Sequence, residues 1–125
     1  MITHDDFKKL VEARLRICEA TLLAKGKKYN PKDDRLHSFK RAGMVNDVAP
    51  TTALQGMVVK HYCSYLDQIR LMQEDSAYTP TEAWIEETVT DLINYMMLFE
   101  GLVADRRASA QPMKSYTWDT SKETK

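Results

Sequence analysis

Residues 86–103, EETVTDLINYMMLFEGLV, decide the fold. With Ile85 just before them, Val89, Leu92, Ile93, Met96, Met97, Phe99, Leu102 and Val103 cover most of the circumference of a helix. A helix apolar nearly all round is one that a protein buries. Yet Glu87, Asp91 and Asn94 fall at i, i+4 and i+7 and so share one face. Carboxylates on a buried helix are costly unless something pairs with them. An internal Lys or Arg, water, or a metal would serve.

Working outward, the helix begins at Thr79-Pro80-Thr81-Glu82. Thr79 suits the N-cap, Pro80 the first helical position and Glu82 the third. The pattern runs to about Ala104. Upstream, a helix follows Pro50, with Thr52 and Gln55 fitting a capping box. It continues to about Glu74 with Leu54, Val58, Tyr62, Tyr65, Leu66, Ile69 and Met72 on its apolar face. A first helix spans about 4–25, opened by Thr3 and Asp6. It carries Phe7, Leu10, Val11, Arg14, Leu15, Cys18 and Leu22 at 3.6-residue spacing, and Gly26 is expected to stop it. The connector 26–50 has a turn at Asn30-Pro31 and a short helix capped by Asp33 or Asp34, running through Arg41 to Gly43. The spacing therefore predicts an all-α protein: three long helices plus a short connector helix, a bundle over 1–106. Residues 107–125 read as a flexible or draped tail, with Tyr116 and Trp118 as a docking point. Three helices cover the 86–103 segment poorly, so self-association, most simply a two-fold dimer or larger assembly, is expected to complete the bundle.

Composition is that of an ordinary single globular domain: 125 residues, 43% hydrophobic and 29% charged. No apolar run approaches the roughly 20 residues that span a bilayer, and the N-terminus has no signal-peptide pattern. Two cysteines, Cys18 and Cys63, give no disulfide framework or zinc site. A cytoplasmic protein, without a membrane role, is the expectation. The net charge is zero but unevenly spread. Lys25, Lys27, Lys28, Lys32, Arg35, Lys40 and Arg41 crowd the connector, whereas residues 71–105 contain no Lys or Arg. Either the two regions attract each other, or the basic connector serves a ligand. A pI near 6.8 and an acidic third helix argue against a broad nucleic-acid-binding face.

The second helix has a polar line of its own, Lys60, Ser64 and Asp67, with His61 beside it. If helices two and three pack antiparallel, the two lines meet. Three carboxylates and an amide are all oxygen donors, which suits Mg²⁺ or Mn²⁺ rather than zinc, and nearby basic residues suit phosphates. The plainer readings are a structural ion pair between Asp91 and Lys60, an Asn94 that bridges helices, and a packed His61. There is no Gly-rich phosphate loop and no nucleophile elbow.

The order of KGKKYN…SFKRAG, KHYCSYLDQI and EETVTDLINYMMLFEGL resembles small phage and bacterial nucleotide-modification-associated domains. It also resembles phage relatives of the MazG-type all-α nucleotide pyrophosphohydrolases, over about residues 7–104. Enzymes of that type hold Mg²⁺ with a Glu-x-x-Glu pair and a Glu-x-x-Asp pair on two helices, and water attacks the α–β phosphate linkage. The resemblance implies Glu87 and Asp91 as the second pair, spaced i, i+4 rather than i, i+3. Lys60 and Ser64 stand where the first pair belongs, with Asp67 nearby. A Lys there suits direct phosphate binding without turnover.

The expected function is thus a nucleotide or other phosphorylated small molecule bound by Lys60, His61, Lys28, Arg41 and Asn94. Asp67, Glu87 and Asp91 would hold a metal, and Glu87 and Asp91 would serve hydrolysis. The competing expectation is a non-enzymatic protein that binds a host protein or sequesters a nucleotide signal.

Overall fold

The computed structural model describes residues 1–29, with Tyr29 as backbone only, and residues 33–110. Over them the chain is all-α, with no strand. Its elements are α1 (His4–Tyr29), α2 (His37–Asn46), α3 (Pro50–Glu74), α4 (Glu82–Trp84), a π-helical turn (Ile85–Val89) and α5 (Thr90–Ala110). The last three join into one continuous helical path from Glu82 to Ala110. Residues 111–125, with Tyr116 and Trp118, lie outside the described residues. No described helix is long and apolar enough to cross a membrane.

The helix ends obey local chemistry. Thr3 Oγ1 accepts from the Asp6 amide at 3.1 Å. Asp5 and Asp6 sit in the first turn of α1 and Lys27 and Lys28 in its last, each at the end where the helix dipole favours its charge. Gly26 does not stop α1. It is buried inside the helix, where any Cβ would run into the Arg35 side chain, 2.7 Å from Cδ. That glycine is there for close approach, not for helix termination. Ahead of α2, the Asp34 carboxylate accepts from the Leu36 amide at 3.0 Å and from Lys40 at 3.0 Å. The lysine holds the Asp34 carboxyl below its ordinary pKa. Gly43 likewise lies within α2 rather than at its end. A Cβ there would stand 2.6 Å from the Val48 carbonyl oxygen, and the helix closes instead at Asp47, in the left-handed region with φ 54°. α3 opens with Ala49 extended and Pro50 in its first turn, so Thr52 is already helical. The last helical path is capped by Thr81 rather than Thr79: Thr81 Oγ1 accepts from the Trp84 amide at 3.1 Å.

Side-chain pairs fix the topology. Arg14 donates to Thr90 Oγ1 at 2.7 Å and Asn94 Nδ2 donates to the Cys18 carbonyl at 3.1 Å. These partners advance together, so α1 and α5 run in the same direction. His61 meets Asp91, and Ser64 accepts from the Trp84 indole at 2.9 Å. These partners advance oppositely, so α3 is antiparallel to the α4–α5 path. α2 packs chiefly on α3. Phe39, Leu54, Leu98 and Leu102 form the core where these helices converge, with Leu22, Leu36, Val58 and Tyr95 against it.

The 86–103 segment is not buried all round. Its buried line is Thr88, Thr90, Asn94, Leu98 and Leu102, while Met96 and Phe99 are about half exposed. Neighbouring helices cover one side of it, and its remaining apolar residues face outward.

Candidate functional site

Where α1, α2, α3 and α5 converge they leave a cavity of about 350 Å³, a size that suits a small ligand. Leu22, Phe39, Met57 and Leu98 give it apolar walls. Lys25 comes from α1, Arg35 from the turn before α2, Ser38 from α2, and Asp91, Asn94 and Tyr95 from α5. Polar groups thus arrive from three stretches of chain onto an apolar pocket.

Asp91 anchors the polar edge. Its Oδ1 lies 3.3 Å from Lys25 Nζ and its Oδ2 lies 2.9 Å from His61 Nε2. The carboxylate is only 13% exposed. The plainer reading of Asp91 as a structural ion pair therefore finds its geometry, but with Lys25 and His61 as partners instead of Lys60. His61 Nδ1 faces the Met57 carbonyl at 3.2 Å, so both ring nitrogens are already engaged. The ring also packs edge-on to Tyr95, with centroids 5.2 Å apart. Burial first, and the Asp91 charge second, push the Tyr95 hydroxyl above its ordinary pKa. Arg35 donates to the Leu22 carbonyl at 3.1 Å, and burial lowers its pKa.

Asn94 is 5% exposed. Its amide nitrogen is used on Cys18, and its Oδ1 is buried with no hydrogen-bond partner among the described residues. The Cys18 carbonyl fixes the orientation. A flipped amide would set oxygen against oxygen. A buried acceptor left unmade costs about 1–3 kcal/mol, so Asn94 Oδ1 is a polar atom of the cavity wall that a hydrogen-bond donor would stabilise.

The remaining sequence candidates lie elsewhere. Glu87, Asp67, Lys60, Lys28 and Arg41 are all exposed, and none lines the cavity. Glu87 does not share its setting with Asp91 and Asn94, because it sits in the π-helical turn. There i→i+5 bonding inserts an extra residue and rotates the side chains before the turn away from those after it. Ser64 is occupied by the Trp84 indole. Among the described residues, no three His, Cys, Asp or Glu side chains come together to hold a metal ion. The residues present do not fit the Mg²⁺ or Mn²⁺ that the resemblance implies, because its first acidic pair is absent and Asp91 is engaged by Lys25 and His61. The sequence does not single out Lys25, Arg35, Ser38 or Tyr95 as site residues, although all four line the cavity. Lys25 and Arg35 stood in the basic run, but nothing in the spacing separated them from its other five cations.

Compared with known proteins, the chain matches no family model, no curated protein and no solved structure. Fold and cavity together define a class: an all-α chain whose helices enclose a ligand-sized, mostly apolar pocket with cations and an amide on its wall.

Proposed function

We propose that this protein binds a nucleotide or a related phosphorylated small molecule in the 350 Å³ cavity and does so without a metal-dependent hydrolytic step. The observation that carries the reading is the pairing, on one apolar cavity wall, of two cations with an unsatisfied buried acceptor. Lys25 and Arg35 suit an anionic group, Arg35 as a planar fork and Lys25 as a point charge. The apolar walls suit a ring. Asn94 Oδ1, lacking a partner among the described residues, suits an N–H donor that a small side-chain adjustment would bring into reach. Asp91 holds Lys25 at the cavity edge rather than serving as a ligand for a cation.

Thermal unfolding with a panel of nucleoside mono-, di- and triphosphates, with and without Mg²⁺, tests this. A ligand that binds only the native state stabilises it by about 2.7 kcal/mol at a hundred times its Kd. Stabilisation by at least one nucleotide in the absence of Mg²⁺ is the expected result. Lys25→Gln and Arg35→Gln should each weaken that binding about tenfold, or 1.4 kcal/mol. No shift with any nucleotide would overturn the proposal and favour the non-enzymatic interaction reading.

A further inference from the structure

One row of α1 seats two polar groups of the cavity wall. Cys18, Leu22 and Gly26 follow one another at i+4 and share a face. The Cys18 carbonyl accepts from Asn94 Nδ2 at 3.1 Å, and the Leu22 carbonyl accepts from Arg35 at 3.1 Å. The Arg35 side chain then lies across Gly26, so close that an added Cβ would stand 2.7 Å from its Cδ and 3.1 Å from its Cζ. At about 1.5 Å per residue, Leu22 and Gly26 lie roughly 6 and 12 Å beyond Cys18 along the helix axis. Asn94 and Arg35 therefore stand at two separate levels of the cavity that both line. The levels differ in charge. At the Asn94 level the cation is already balanced, because Lys25 Nζ lies 3.3 Å from Asp91, one turn before Asn94 on α5. At the other level Arg35 is part-buried, and no carboxylate among the described residues forms a salt bridge with it. A cation drawn out of water without a counter-charge is costly and so favours an anion. The Leu22 carbonyl uses one of the five N–H donors of its guanidinium. Gly26 makes the seat. Glycine weakens a helix interior, and here it leaves the room that lets Arg35 lie flat on α1.

We infer that the ligand lies along α1 with a phosphate on Arg35 and an N–H edge of its base on Asn94 Oδ1, and that Gly26 is the positioning residue that seats Arg35 for the phosphate. The inference rests on the reading of the cavity as a nucleotide site and gives that site a direction. A separation of roughly 6–12 Å along the helix is the length of one nucleoside, so the phosphate that meets Arg35 is the one attached to the sugar. A nucleoside monophosphate carries both groups that the wall calls for. Further phosphates extend past Arg35 and are not needed for binding. A guanidinium already ordered by its seat loses less freedom when the ligand arrives, which is how preorganisation raises affinity.

NMR on the isotope-labelled full chain tests this, with the common nucleoside monophosphates and their parent nucleosides as probes. The Arg35 Nε–H and Asn94 Nδ2 resonances are followed through each titration. A bound monophosphate should move both, and a nucleoside should leave Arg35 unmoved. Gly26→Ala should weaken the monophosphate about two- to tenfold, the range expected when the ligand rather than the seat must order an arginine. At saturation that variant should still show the Asn94 response, which a collapsed cavity would lose. Gly56→Ala, where nothing stands within 4 Å of the added Cβ, should leave the affinity unchanged. A monophosphate that binds without moving Arg35 or without moving Asn94 would overturn the inference and leave the nucleotide reading standing. So would a nucleoside that moves Arg35, an undiminished affinity in Gly26→Ala, an equal loss in Gly56→Ala, or loss of the Asn94 response in Gly26→Ala at saturation. If Gly26→Ala does not fold, the two resonances of the parent chain decide alone. If no monophosphate binds at all, the nucleotide reading itself falls and takes the inference with it.

Discussion

Asp91 and Tyr95 sit one helical turn apart on α5 and respond to different perturbations. Replacing Asp91 with Ala removes the carboxylate from both Lys25 and His61. Because His61 is largely covered, its lost partner is not fully replaced by water, and a loss of about 1–3 kcal/mol is expected from urea denaturation. Asp91→Asn, which keeps one acceptor oxygen, should lose less. Tyr95 gives a pH test. Its pKa is raised in the folded state, chiefly by burial, so folding favours the neutral phenol. That contribution is fully present below the unfolded value of about 10 and is lost as pH rises through the higher folded value. Stability should therefore fall as pH rises past about 10, and fall less steeply in Tyr95→Phe. An identical decline in the two proteins would rule out Tyr95 as its source.

At the scale of the element, two helical glycines that look alike in the sequence should behave oppositely. Gly56, inside α3, has nothing within 4 Å of where a Cβ would stand, so Gly56→Ala should stabilise by about 0.5–1 kcal/mol through helix propensity. Gly26, inside α1, would place its Cβ against the Arg35 side chain, which donates to the Leu22 carbonyl. Gly26→Ala is expected to destabilise, by about 1 kcal/mol or more once the clash exceeds the propensity gain. In an Arg35→Ala background the sign should reverse, which a double-mutant cycle would read as coupling between the two positions. The cap at Thr81 is a further test: Thr81→Ala should cost about 1 kcal/mol, while Thr79→Ala should cost little.

At the scale of the whole molecule, the cavity makes two predictions. A nucleotide that enters between α1, α2, α3 and α5 bridges groups on three stretches of chain, so it should raise the unfolding midpoint, and above its Kd the stabilisation should grow with the logarithm of its concentration. Its binding should also weaken with salt, since Lys25 is more than half exposed and screening acts within about 8 Å at physiological ionic strength. A midpoint that no nucleotide moves would count against binding in the cavity.

Periodicity alone determined the all-α class, the three long helices and the close positions of several ends, α3 from Pro50 to Glu74 among them. Those depend on spacing, caps and prolines, which act within a few residues. The antiparallel setting of the second long helix against the third was conditional in the sequence and is met by the His61–Asp91 and Ser64–Trp84 pairs. Asp91 and Asn94 were legible as a polar line on an apolar helix, and both line the cavity. What the sequence could not decide were long-range choices: that Asp91 takes Lys25 rather than Lys60, that Arg35 rather than Arg41 lines the cavity, and that Gly26 serves a close contact inside a helix. Nor could it show the π-helical turn that rotates Glu87 out of line, because a single inserted residue leaves the apolar pattern nearly unchanged while shifting every side chain before it. Packing between distant segments chooses among chemically equivalent residues, and that choice exists only once the helices are in place.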